Sequence, residues 1–140
     1  MATQPARTEQ QRTGGESGLG LEPNVAGALA YALGILTGAL VYLTDPDDTF
    51  VRFHAAQSMV VSGALIVTWI GFGMLSGFVG AAGAATGGVF VFAILGPLLG
   101  LVWLVLALGS FGLWAFLIVS AYRGRSPRIP GAAGIADSLV

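Results

Sequence analysis

Between positions 89 and 122 the chain runs for about 34 residues without a charged side chain. Two further stretches, 25–43 and 55–79, are equally free of charge. About 20 apolar residues wound as a helix, rising ~1.5 Å each, cross the ~30 Å hydrocarbon core of a bilayer. Three such runs in 140 residues leave little else for a water-facing surface. Composition points the same way: 55% of residues are hydrophobic and 9% are charged, where soluble domains carry about 25% charged. Mean hydropathy is +0.82. The fold class is therefore an all-α integral membrane protein, with the lipid bilayer as its principal partner.

The number of spans depends on the last run. Residues 25–43 and 55–79 each read as one span, and the small, uncharged 80–88 as a tight connection. As a single helix, 89–122 would extend about 51 Å. Gly96-Pro97 is expected to break it, because proline lacks an N–H and its ring meets the carbonyl of Ala93. The expectation is three transmembrane helices, with a short Gly-Pro-broken segment before the last span at 98–122. The alternative, four transmembrane helices, needs a turn inside 101–114, where Gly109-Ser110 is the only candidate. Residues 1–23 read as a disordered polar N-terminal tail without a signal-peptide pattern. Residues 123–140 read as a short cytoplasmic C-terminal tail, since Arg123, Arg125 and Arg128 follow the last span. With three spans Arg52 is also inside; with four, the 45–52 loop is outside. Three arginines fall short of the usual 4–8 basic residues of a polybasic lipid-binding patch.

Glycine is abundant, 22 of 140 against a usual ~7%. Ala30, Gly34 and Gly38 recur every fourth residue, as do Gly73 and Gly77. Such rows are expected to pack closely against another helix. Asn24 is placed to cap the first helix. Tyr42 suits the membrane interface, and Tyr31 lies deeper.

The polar island at 45–58 separates the first two runs. Asp45 reads as a helix cap, Pro46 as the first helical residue, and Asp47 and Asp48 as acids favoured by the helix dipole. Asp48 and Arg52 are spaced for an i, i+4 pair. Three aspartates in four residues without a glycine turn do not match a calcium loop, so no metal is expected. His54, Gln57 and Ser58 share one helical face, within about 100° of arc, while Arg52 points the opposite way. Polar groups at a span's mouth face other helices or water. This polar helix-mouth cluster is thus either a structural cluster bonded to a neighbouring helix or a hydrated patch for a substrate or partner. There is no nucleotide loop and no nucleophile–base pattern. The chain is not expected to be an enzyme or to take a cofactor. With no cysteine there is no thiolate metal site, and a net charge of −1 suggests no nucleic-acid partner.

Phe50-Val51-Arg52-Phe53-His54-Ala55-Ala56-Gln57-Ser58 resembles the F-x-R-F-H-A-x-Q-S signature of a family of small, uncharacterised prokaryotic membrane proteins related to the chloroplast import component Tic-twenty. Asn24-Val25-Ala26, Leu29, Tyr31, Leu33-Gly34 and Thr37-Gly38 resemble the family's first helix. Ala121-Tyr122-Arg123-Gly124, Arg128-Ile129-Pro130 and Ile135-Ala136-Asp137 resemble its last helix exit and tail. In the tail the family has Gly-Asp where this chain has Ala133-Gly134. The resemblance implies a Tic-twenty-like protein with a role in protein translocation or membrane assembly, meeting translocation partners. A second class is a small structural protein that binds other membrane helices or forms a homo-oligomer. A third, a solute or ion carrier, lacks the acid or base deep in a span that coupled transport uses.

Overall fold

The computed structural model describes residues 17–45 and 47–140. Five α-helices appear among them: α1 (Pro23–Leu29), α2 (Ile35–Thr44), α3 (Thr49–Ala85), α4 (Gly96–Tyr122) and α5 (Ala132–Leu139). A π-helical segment, Val91–Leu95, leads directly into α4. The residues divide into two compact units, 17–61 with 117–140, and 62–116.

Two helical stretches, Thr49–Ala85 and Val91–Tyr122, are long and apolar enough to cross a membrane. A core helix of a soluble protein would be mostly covered. Here 11% of the most apolar window in one stretch is buried, and 0% in the other. Large apolar side chains such as Val67, Met74, Phe78, Leu104 and Phe111 stand exposed. Lipid is the solvent that accepts such faces.

The first apolar run departs from the expected single span. It breaks after α1, and Gly34 sits at φ 61°, ψ −119°, immediately before α2. Seven and ten residues extend only about 10 and 15 Å, so neither half crosses a ~30 Å core alone. The expected count of three spans accordingly becomes two helices of sufficient length. The last run departs in the opposite sense. Gly96-Pro97 does not break it. Gly96 N–H bonds the carbonyl of Val91, five residues back. This wider turn accommodates a proline at the start of α4, where a regular turn would collide with it. Gly109-Ser110 lies inside α4 and makes no turn, so the four-span alternative lacks its extra loop. The connection is shorter than expected: α3 continues to Ala85, and the reversal falls at Thr86–Gly88, with Gly87 at φ 64°.

In the 62–116 unit, Trp69 and Phe72 of α3 meet Trp103 of α4, with ring centroids 5.0 and 5.3 Å apart. Trp69 Nε1–H donates to Ser110 Oγ at 3.3 Å, which satisfies the indole inside an apolar pair. A Cβ on Gly73 would touch the Trp103 ring at 3.9 Å, an ordinary contact, and one on Gly77 would meet nothing within 4 Å. Within this chain the expected Gly73–Gly77 row meets no helix backbone. Gly73 faces an aromatic ring and Gly77 faces open space.

Candidate functional site

The 17–61 and 117–140 unit gathers the polar island, the broken first run and the C-terminal tail. Helix α3 starts one residue after Asp48, whose carboxylate accepts from the N–H groups of Phe50 (2.8 Å) and Val51 (3.1 Å). Asp48 is thus the cap expected of Asp45. Asp45 instead follows the end of α2, is 4% exposed, and accepts from Gly18 N–H at 2.9 Å. A side chain on Gly18 would collide with the Thr44 carbonyl, so only glycine fits that approach. Residues 17–22, expected within a disordered tail, are folded here; residues 1–16 and Pro46 lie outside the described residues. Asp47 is exposed in the loop. Asn24 does not cap α1, which begins with Pro23 behind Glu22. Its side chain lies against Gly124, at φ 69°, where Arg125 N–H reaches back to Ser120 O and Gly124 N–H to Ala121 O. This paired glycine cap ends α4 and turns the chain into the tail.

His54, Gln57 and Ser58 are all completely buried. Ser58 Oγ–H donates to the Ala30 carbonyl at 2.6 Å, with the Gly34 carbonyl at 3.3 Å. Thr37 Oγ1 also donates to Ala30 O and accepts from Leu33 N–H, each at 3.0 Å. These hydroxyls serve groups that the break leaves without regular helical partners. Gly38 lies where α2 crosses α3: a Cβ there would stand 3.1 Å from the Ala55 carbonyl and 3.3 Å from Ser58 Oγ. Gly38 thus makes the close approach expected of the row, while Gly34 serves the break through its positive φ.

Gln57 holds the tail. Its Nε2 donates to the Pro127 carbonyl at 3.0 Å and to Tyr31 Oη at 3.1 Å, and its Oε1 accepts from Ile129 N–H at 3.4 Å. One side-chain amide thus pairs with a backbone acceptor and a backbone donor of the segment after α4. Tyr31 Oη is also 3.0 Å from His54 Nδ1, and His54 Nε2 is 3.4 Å from Ser126 Oγ. Gln57 Nε2 can only donate. Tyr31 Oη therefore accepts from it, and the imidazole also bonds the Arg125 backbone. Phe50, Phe53 and Tyr31 pack edge-on around the imidazole, with centroids 4.5, 5.7 and 5.7 Å away.

Arg52 takes separate partners. Its guanidinium lies 4.3 Å from the centre of the Tyr42 ring, and Nη2 donates to Tyr42 Oη at 2.8 Å and to the Leu139 carbonyl at 3.3 Å. Helix α5 is held from its other side by Ala133 and Ala136, which pack with Phe53 and Ala56. Every buried side-chain polar atom among the described residues has a partner. The island and the tail are therefore in direct contact. Tyr31, Ser126, Pro127 and Ile129 complete the site although no local pattern singles them out. The signals for Tyr31 are its place in the resemblance to the family's first helix and a phenol deep in an uncharged run.

Residues 21–135 match the magnetosome magnetite crystal formation protein family. A UPF0132 membrane protein of Methanocaldococcus jannaschii is 32% identical over 129 residues, covering 88% of this chain and 93% of its own. Two UPF0132 membrane proteins of Archaeoglobus fulgidus are 32% and 35% identical over 120 and 109 residues. They cover 86% and 78% of this chain, and 97% and 92% of their own. No solved structure matches the chain. The chain is a membrane protein, and with four-fifths of its length matched it belongs to the magnetosome magnetite crystal formation protein family.

Proposed function

We propose that the protein is a small multi-pass scaffold of the cell membrane, which presents apolar helix faces to lipid and to other membrane helices, including copies of itself. One observation carries this reading: the signature residues His54, Gln57 and Ser58 are fully buried and bonded to the chain's own broken helix and tail. A motif engaged in this way fastens a fold. Protein translocation, which the likeness to Tic-twenty implies, would use the same polar face as a groove and would need the tail to leave it. Magnetite crystal formation is the family's description, and a scaffold that orders partners at a membrane surface is compatible with it.

The test locks the tail in place. Cysteines replace Ala56 and Ala133, both in one buried cluster, in a chain that has no other cysteine, and the protein is oxidised. Once the bond is confirmed by mass, the scaffold reading expects the locked protein to restore a gene-deletion phenotype as well as wild type does. Loss of function that a reductant reverses would instead establish an opening groove.

A further inference from the structure

Beside the buried cluster lies an open depression of about 210 Å³, lined by Phe53, Ser126, Arg128 and Asp137. That volume is below the ~300 Å³ at which pockets for drug-sized ligands begin, so it suits one small polar group. Arg128 and Asp137 form an ion pair at its rim, with side chains 64% and 48% exposed. Pairs so exposed contribute little, so a ligand can separate them at small cost. The Arg128 guanidinium also lies 5.5 Å from the centre of the Phe53 ring.

Ser126 lines the depression and its Oγ lies 3.4 Å from His54 Nε2. A serine hydroxyl rotates about its Cβ–Oγ bond and can turn its proton into the depression. Two donors of different origin, a guanidinium and a hydroxyl, then stand beside one aromatic wall. Their height in the bilayer follows from sequence: Phe53 comes two residues before the uncharged run 55–79, and the Tyr122-Arg123 anchor closes α4 just before the tail. That is the headgroup level.

We propose that this depression binds the phosphodiester of an anionic phospholipid headgroup, with Arg128 and Ser126 as donors and Phe53 as the apolar wall. Charge-assisted hydrogen bonds from a guanidinium to phosphate oxygens are strong and directional. Asp137 competes for the same guanidinium and so limits the affinity.

The competition supplies the test. Full-length protein in a maltoside detergent is titrated with dihexanoyl-phosphatidylglycerol and binding is followed by native mass spectrometry. Arg128→Gln and Ser126→Ala should each weaken binding, Arg128→Gln by about tenfold, the scale of one lost charge-assisted contact. Asp137→Asn should tighten it, because the guanidinium is released. Arg128→Gln and Asp137→Asn break the same ion pair, so a merely structural role for that pair would move both in one direction. Arg123→Gln, outside the depression, should change binding less than twofold. Equal binding by wild type and Arg128→Gln, or weaker binding by Asp137→Asn, would overturn the proposal. So would inorganic phosphate binding as tightly as the lipid, which would make the site one for a free anion. Dihexanoylglycerol, which lacks the phosphate, should not bind, and its binding as tightly as the phospholipid would also overturn it.

Discussion

Replacing Gln57 with leucine should release the tail while leaving the long helices intact. Leucine keeps most of the volume and removes both amide ends. The Pro127 carbonyl and the Ile129 N–H lose a partner, and Tyr31 loses its Gln57 contact while retaining His54. A polar group stranded without a partner costs about 1–3 kcal/mol. Pro127 and Ile129 are only half-buried, so water recovers part of that and the low end applies to each. The tail's docking should then weaken by about 2–3 kcal/mol, which raises the open fraction by about 30- to 150-fold at 1.4 kcal/mol per factor of ten.

The chain has no cysteine, so one introduced thiol reports without background. Ala136 is fully buried on α5. In an Ala136→Cys protein the maleimide labelling rate should follow the open fraction, and adding Gln57→Leu should raise it by the factor above. A Thr49→Cys protein, with its site exposed at the start of α3 in the wild-type chain, sets the rate for an open thiol and should not respond to Gln57→Leu. If Gln57→Leu changes the Ala136→Cys rate by less than twofold, the amide does not hold the tail and the staple fails as an explanation of the signature.

Other outcomes follow from the same geometry. Gly38→Leu should lower the yield of folded protein, because added carbons meet the Ala55 carbonyl and cost about 1–3 kcal/mol; Gly77→Leu, facing open space, should leave yield and thermal midpoint near wild type. Asp48→Ala should cost about 0.5–2 kcal/mol in thermal stability by removing the α3 cap, and Asp48→Asn should restore most of it. Thiols placed at Thr49 and Ser138 should label from the same side of the membrane, and by the positive-inside rule that side is the cytoplasm; labelling from opposite sides would contradict the contact between Arg52 and Leu139.

Much of this was legible because it depends on composition and local spacing. Uncharged runs reveal the bilayer without any knowledge of packing. The face shared by His54, Gln57 and Ser58 is a property of one helix, and α3 is continuous through it. The structure departs from the local reading where one segment's backbone depends on another. Pro97 reads as a breaker in any local window, yet a single wide turn before it absorbs both the missing donor and the clash. Asp45 and Asp48 are equivalent as caps on paper. Which one caps α3 depends on where the helix starts, and the pull of Gly18 on Asp45 comes from 27 residues away. Ser126 and Pro127 carry no periodic signal because their partners lie about 70 positions earlier in the chain.

The broken first run explains why a polar signature stands at the mouth of an apolar helix at all. The row Ala30, Gly34, Gly38 presupposes a continuous helix, in which backbone carbonyls are satisfied within the segment. Once the backbone turns at Gly34, the Ala30 carbonyl needs donors from elsewhere. Lipid offers none, and an unpaired group there costs several kcal/mol. Ser58 and Thr37 supply those donors. The tail after α4 has the same requirement for both a donor and an acceptor, and a side-chain amide donates and accepts in one plane, which is what Gln57 does for Pro127 and Ile129. Tyr31 lies between the two problems, one residue after Ala30 and bonded to Gln57 and His54, so the helix break and the tail are fastened by one network. Serine, glutamine and histidine at these spacings are therefore the donors that an irregular backbone requires where water is scarce.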